Sequence, residues 1–282
     1  MYFSLQMQSY LARFKKYIST TYPFRYLFLI CKIVQSEFYA ISEGVLFVFH
    51  RMPASLPKKC YILGSGPSLN SYINHDFSDG YVIALTTSCF FPCDKDIVFY
   101  EQCDKRLNPN FSSQLEKSLD VNASALKAKH FYITNYKYRF PKLNIPKKLA
   151  PKHVREFPWF SLSEMVLDKD YDYFYKSSIF SNFIFRVRGS FSRALFLAAK
   201  SDFDEIVLIG FDGTSREYFW QDTEIFGSQF HDLAMAYKTD IGSKIHHAHR
   251  TTMKEFGELT IDDFIAYLKK KNPSVAITRP IV

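Results

Sequence analysis

Six short, predominantly apolar runs constrain this chain more than any other feature: Cys60–Leu63, Tyr81–Leu85, Ile97–Tyr100, Phe131–Thr134, Ile206–Ile209 and Val275–Thr278. Each has strand length and none alternates with polar residues, so each reads as a strand covered on both faces. Between the fourth and fifth, Ser190–Lys200 carries Ala194, Leu195, Leu197 and Ala198 on one helical face, with Ser190 as its cap. Before the sixth, Thr260–Lys271 places Ile261, Phe264, Ile265 and Leu268 at helical spacing behind a threonine cap. Strands that alternate with helices need crossover connections. The expected fold class is therefore α/β, built on a mainly parallel, Rossmann-like sheet.

Of the 282 residues, 47% are hydrophobic and 23% charged, which excludes a disordered or fibrous chain. Five cysteines, Cys31, Cys60, Cys89, Cys93 and Cys103, form no CxxC pair and no even framework, so reduced thiols in a cytoplasmic setting are expected. The formal net charge is +8 and unevenly spread. Residues 1–57 hold six lysines and arginines against Glu37 and Glu43, and Lys137–Arg155 holds seven with no acid. Such clusters favour an anionic partner: a nucleic acid, an anionic membrane face or a phosphorylated substrate. No aromatic and basic platform for nucleic acid is present, so that partner is not expected.

The chain divides at a linker, Arg51–Lys59. Residues 1–57 read as a helical, basic extension and 58–282 as an α/β domain. In Tyr22–Phe49 the apolar run is broken by Arg25, Lys32, Glu37 and Glu43, so it is no membrane span, and it lacks the pattern of a secretory signal. It is either a helical hairpin packed on the domain or an amphipathic segment in a membrane interface.

In open parallel sheets ligands collect beyond the carboxyl ends of the strands. Gly64-Ser65-Gly66-Pro67-Ser68-Leu69 follows the first strand, with two glycines for a close turn and a proline suited to a helix start; it is either an anion cradle or a plain turn. Asp212 follows the fifth strand and either orients a substrate hydroxyl or holds an Asx turn with Gly213. The aromatic stretch after it, about 214–250, reads as a lid. At its far end His246, His247 and His249 allow a general base, a metal site from His247 and His249, or a basic surface turn. Arg188-Gly189-Ser190 opens the helix before the Asp212 strand, as an anion contact or simply an exposed helix start.

The order of these features resembles the bacterial sialyltransferases of glycosyltransferase family 42 and related proteins that transfer Kdo. The resemblance runs from Lys58 to Ile277, and Gly64–Leu69 and Ile206–Gly213 carry most of it. It implies a GT-A-like variant of the nucleotide-sugar-binding fold and an inverting transfer from a CMP-activated acidic sugar, without metal or other cofactor. By that resemblance His249, or His247, is the base, and Tyr218 in the lid faces the departing phosphate. Gly64, Ser65, Gly66, Ser68, Thr87, Ser88, Arg188, Gly189, Ser190 and Asp212 line the nucleotide. The implied partners are a CMP-sugar and a glycan or glycolipid acceptor, with peripheral contact at the inner face of the inner membrane; self-association is left open. Ser65 and Thr87-Ser88 stand where the family has asparagine, and Glu101 follows the third strand, so the donor within the CMP-sugar class stays open. The rival readings are a Mg-dependent pterin pyrophosphokinase of the archaeal type, its metal held by Glu101, Asp104 and Asp212, and a non-catalytic membrane-surface binding protein.

Overall fold

All six expected strands are present, and two further ones extend the sheet. The computed structural model describes residues 55–101, 109–121, 128–134, 152–154, 189–212, 217–240 and 261–280, together with 47–48 and five positions between 24 and 34. The strands are β1 (Phe47–Val48), β2 (Lys59–Leu63), β3 (Gly80–Leu85), β4 (Lys95–Glu101), β5 (Ala128–Thr134), β6 (Lys152–Val154), β7 (Glu205–Ile209) and β8 (Ala276–Thr278). They form one sheet in the order β1-β6-β5-β4-β3-β2-β7-β8, and every neighbouring pair is parallel. The helices are α1 (Pro109–Val121), α2 (Gly189–Lys200), α3 (Thr223–Phe226), α4 (His231–Asp240) and α5 (Ile261–Lys271). Among the described residues, three short 3-10 helices join them: η1 (Pro67–Tyr72), η2 (Thr86–Phe90) and η3 (Phe219–Gln221).

Each central strand is apolar through its middle because both faces are covered there, and successive residues feed two separate cores. Cys60, Ile62, Ile83, Phe99 and Leu208 pack under Ala194, Leu195 and Ala198 of α2 and Phe264 and Leu268 of α5. Tyr61, Leu63, Ala84, Tyr100 and Ile209 face the other way, under Leu115 and Leu119 of α1, Leu233 and Tyr237 of α4, and the aromatic residues of η2 and η3. This three-layer arrangement is what a parallel sheet requires.

Two findings refine the reading of the sequence. Phe47–Val48, on the extension side of the expected division at 57, pairs with His153 and Val154 of β6. Residues 217–240, within the expected lid, belong to the second core: Phe219 and Trp220 are almost wholly buried, as are Phe230, Leu233 and Tyr237.

Candidate functional site

Strands β3 to β6 are laid down on one side of β2 and β7 to β8 on the other, so the direction of the chain reverses between β2 and β7. A crevice beyond the carboxyl ends of those two strands is the usual ligand position in such sheets. The register delivers the singled-out loops to it. Leu63 is level with both Ala84 and Ile209, so Gly64, Leu85 and Gly210 leave the sheet side by side.

The two loops at the reversal are clasped to each other. Gly64 N–H donates to Ile209 O at 2.7 Å and Gly66 N–H to Gly210 O at 2.9 Å. Ser68 N–H donates to Asp212 Oδ2 at 2.9 Å, and Leu69 N–H to Gly66 O at 3.1 Å. Gly210 sits at φ +76°, where glycine is strain-free, and a Cβ on Gly66 would run into the Asp212 carboxylate. The glycines thus serve a backbone-to-backbone approach. Of the N–H groups expected to cradle an anion, those of Gly64, Gly66, Ser68 and Leu69 are engaged within the protein, and the amino end of η1 meets a carboxylate. A phosphate on these amides would have to displace Asp212. Asp212 Oδ2 takes the Ser68 N–H across 144 residues, and Gly213, its partner in the expected Asx turn, lies outside the described residues.

What the clasp presents is hydroxyl chemistry. Ser65 is half-buried; its Oγ accepts a hydrogen bond from Thr87 Oγ1–H at 2.7 Å, and its carbonyl accepts from Phe219 N–H at 3.0 Å. Thr87 is buried beneath it. Ser88, placed on the nucleotide by the sequence reading, is 0% exposed. Its Oγ accepts from Leu85 N–H at 2.6 Å and lies 2.6 Å from Leu63 O, so it ties the ends of β2 and β3 together out of a ligand's reach. Thr86 was not singled out in the sequence. It has φ +45°, a conformation that a β-branched residue rarely holds.

The helix α2 precedes β7, and its first turn reaches the same crevice: Phe191 packs on Phe211, beside Asp212, with ring centroids 4.8 Å apart. Gly189 is the first helical residue, so Ser190 lies inside the helix instead of capping it, and it is 8% exposed. Arg193, one turn on, is fully buried. It is a second residue that the sequence reading missed, although an arginine inside an apolar helical face is a visible signal. Tyr218 is 7% exposed, stacked on Trp220 at 5.0 Å and edge-on to Tyr237 at 5.0 Å. Its neighbour Phe219 bonds the glycine loop, so the ring stands beside the crevice but inside a packed aromatic layer. Arg188, His246, His247, His249 and Asp104 lie outside the described residues.

Two members of the rival metal set leave different strands. Glu101 ends β4 and Asp212 follows β7, and β3 and β2 lie between them. Three strand spacings set those two strand ends roughly 14 Å apart. A cavity of about 650 Å³, lined by His75, Asp76, Tyr81, Asp96 and Lys129 among others, opens at the opposite, amino end of the strands.

No family model and no curated protein matches the chain. Solved structures with some likeness are sialyltransferases. One is a Cst-II variant in complex with CMP, at 18% identity over 79% of this chain and 80% of that one, with a TM-score of 0.38. Another is CstII from Campylobacter jejuni with the substrate analogue cytidine-5'-monophosphate, at 16% identity over 74% and 88% of the two chains, with a TM-score of 0.30. A third is the alpha-2,3-sialyltransferase from Campylobacter jejuni in apo form, at 14% identity over 76% and 86%, with a TM-score of 0.27.

Proposed function

We propose that this chain is an inverting glycosyltransferase that moves a CMP-activated acidic sugar, a sialic acid or Kdo, onto a bacterial surface glycan or lipopolysaccharide acceptor without using a metal. The observation that carries the proposal is the convergence of four separately noted features on the β2/β7 reversal: Gly64–Ser68, Thr87, the first turn of α2, and Asp212. Together with the resemblance of the sequence, this convergence suits a nucleoside monophosphate.

The groups divide by charge. Asp212 and the Ser65–Thr87 hydroxyl pair suit the hydroxyls of a ribose or the amine of cytosine, which a carboxylate and hydroxyls bind well. The phosphate is assigned to the amino end of α2, with Gly189, Ser190 and Arg188, where the helix dipole favours an anion. CMP leaves with fewer charges than a nucleoside diphosphate, so these groups can stabilise it electrostatically. The acceptor hydroxyl attacks the anomeric carbon as the bond to the phosphate oxygen breaks. Its proton passes to the imidazole of His249 or His247, a step that typically contributes ~10² to 10⁴ in rate. By the resemblance Tyr218 is the lid tyrosine that contacts the departing phosphate. A glycolipid acceptor places the enzyme at the inner face of the inner membrane.

The test is a thermal-shift series of the purified chain against CMP, UDP, GDP and ATP with Mg²⁺, because a ligand that binds only the folded state raises its apparent stability. CMP alone is expected to raise the midpoint, and donor hydrolysis is expected to survive EDTA. A response to ATP and Mg²⁺ with indifference to CMP overturns the proposal in favour of pyrophosphoryl transfer.

A further inference from the structure

The cavity of about 650 Å³ at the amino end of the strands lies one strand length, roughly 16 Å, from the β2/β7 crevice. Its volume is that of a small-molecule site. One buried group in its wall lacks a partner. Tyr81 is 4% exposed, yet its hydroxyl makes no hydrogen bond to any described residue. The oxygen is not sealed within the protein, so it opens on the cavity that the residue lines. Buried phenols ordinarily find a partner; this one is left to whatever occupies the cavity.

Two other lining groups are open to a ligand. Asp94 is exposed and hydrogen-bonds no described residue. His75 is held by a chain of bonds: the Tyr61 hydroxyl donates to Asp79 Oδ1 at 2.8 Å, so its oxygen accepts from His75 Nε2–H at 3.3 Å, and Nδ1 is left as an acceptor. The imidazole also packs edge-on to Phe77 at 4.7 Å, which adds an apolar ring to the wall. Charge decides the class of ligand. The lining sets three aspartates, Asp76, Asp94 and Asp96, against two lysines, Lys95 and Lys129. Lys129 Nζ meets Asp96 Oδ1 at 2.6 Å, and Lys95 Nζ donates to Phe91 O and Cys93 O. With His75 neutral the wall is within one charge of balance, so it draws neither an anion nor a polycation. A hydroxyl, a carboxylate and an imidazole acceptor beside an aromatic ring suit a ligand that carries several hydroxyls and C–H faces. We infer that this cavity is a second binding site, for a neutral sugar held by Tyr81, Asp94 and His75. The inference does not rest on the transferase reading, because the cavity shares no group with the crevice.

The experiment is saturation-transfer NMR of the full chain with methyl β-galactoside, N-acetylglucosamine and lactose. At least one sugar is expected to bind and to stay bound when CMP, spermidine or inorganic phosphate is added. Tyr81→Phe, which removes one oxygen and keeps the ring, is expected to weaken that binding roughly three- to tenfold, the worth of a hydrogen bond. Its urea midpoint is expected to hold or rise, since no bond within the protein is lost. Asp94→Asn is expected to weaken binding to a similar degree, and Asp232→Asn, an exposed acid on α4, to bind as wild type. Absence of any sugar signal overturns the inference, as does a Tyr81→Phe variant that binds as wild type or unfolds at lower urea. Displacement by CMP overturns it by placing the sugar in the crevice, and displacement by spermidine or phosphate overturns it by making the cavity an ion site. The CMP thermal shift on the same samples separates the two readings. Sugar binding without a CMP response sinks the transferase alone, and a CMP response without sugar binding sinks the second site alone.

Discussion

Gly66 has no room for a side chain: a Cβ there would meet the Asp212 carboxylate and stand 2.9 Å from Gly210 O. Asp212 cannot swing aside without giving up its bond to Ser68 N–H. Gly66→Ala is therefore expected to lower stability by about 1–3 kcal/mol, the usual cost of overpacking, and to abolish the thermal response to CMP. Urea unfolding checks the first and the thermal-shift series the second; a fully stable alanine variant would show that the two loops part easily. Thr86 makes the opposite case. A β-branched residue at φ +45° stores strain on the order of 1–3 kcal/mol. Its neighbours hold it there, through Thr87 on Ser65 and Ser88 on Leu63 and Leu85. Thr86→Gly is expected to raise stability by about 1 kcal/mol. If the same variant weakens the CMP response, the strained threonine serves binding; a loss of stability would instead show that its side-chain contacts outweigh the strain.

At the scale of elements, the aromatic segment after Asp212 separates two kinds of legibility. Its aromatic richness was plain in the sequence, but the same residues suit a mobile lid or a packed layer. Only burial distinguishes them. Trp220 is 2% exposed and stacked on Tyr218, so Trp220→Ala is expected to cost about 3–5 kcal/mol of global stability. Denaturant unfolding that leaves the midpoint unchanged would return the segment to the role of a lid. The missed elements have equally physical reasons. β1 has two residues and β6 three, one within an apolar stretch that reads as helix and the other within a basic stretch. Pairing with a neighbour, which no local pattern encodes, makes them strands. The α1 helix was legible and overlooked: Pro109 opens it, and Phe111, Leu115 and Leu119 recur every four residues.

On the scale of the whole molecule, the two cores hide groups that titrate in alkali. Burial pushes the Cys89 thiol from 9.0 up to about 12 and the Tyr132 phenol from 10.0 up to about 12, and it also raises Cys60 and Tyr81, with Asp96 adding to each. A raised folded value favours the neutral form, so the stability it contributes is intact below the ordinary value and is lost as pH climbs toward the folded one. The urea midpoint is expected to hold up to about pH 9 and to fall steeply between about 9 and 12. Cys89→Ala is expected to flatten that fall, and an unchanged slope would mean that the thiol is not sealed in the core. The sequence alone determined the six central strands, the two flanking helices and the loops at the carboxyl edge, because periodicity and the glycine and proline signals are local properties of the chain. Only the tertiary structure decided what those loops do with their hydrogen bonds. That Asp212 would cap the turn at Ser68, that Ser88 would vanish between two strands, and that Arg193 would be buried depend on which distant segments become neighbours, and the register of a parallel sheet sets that.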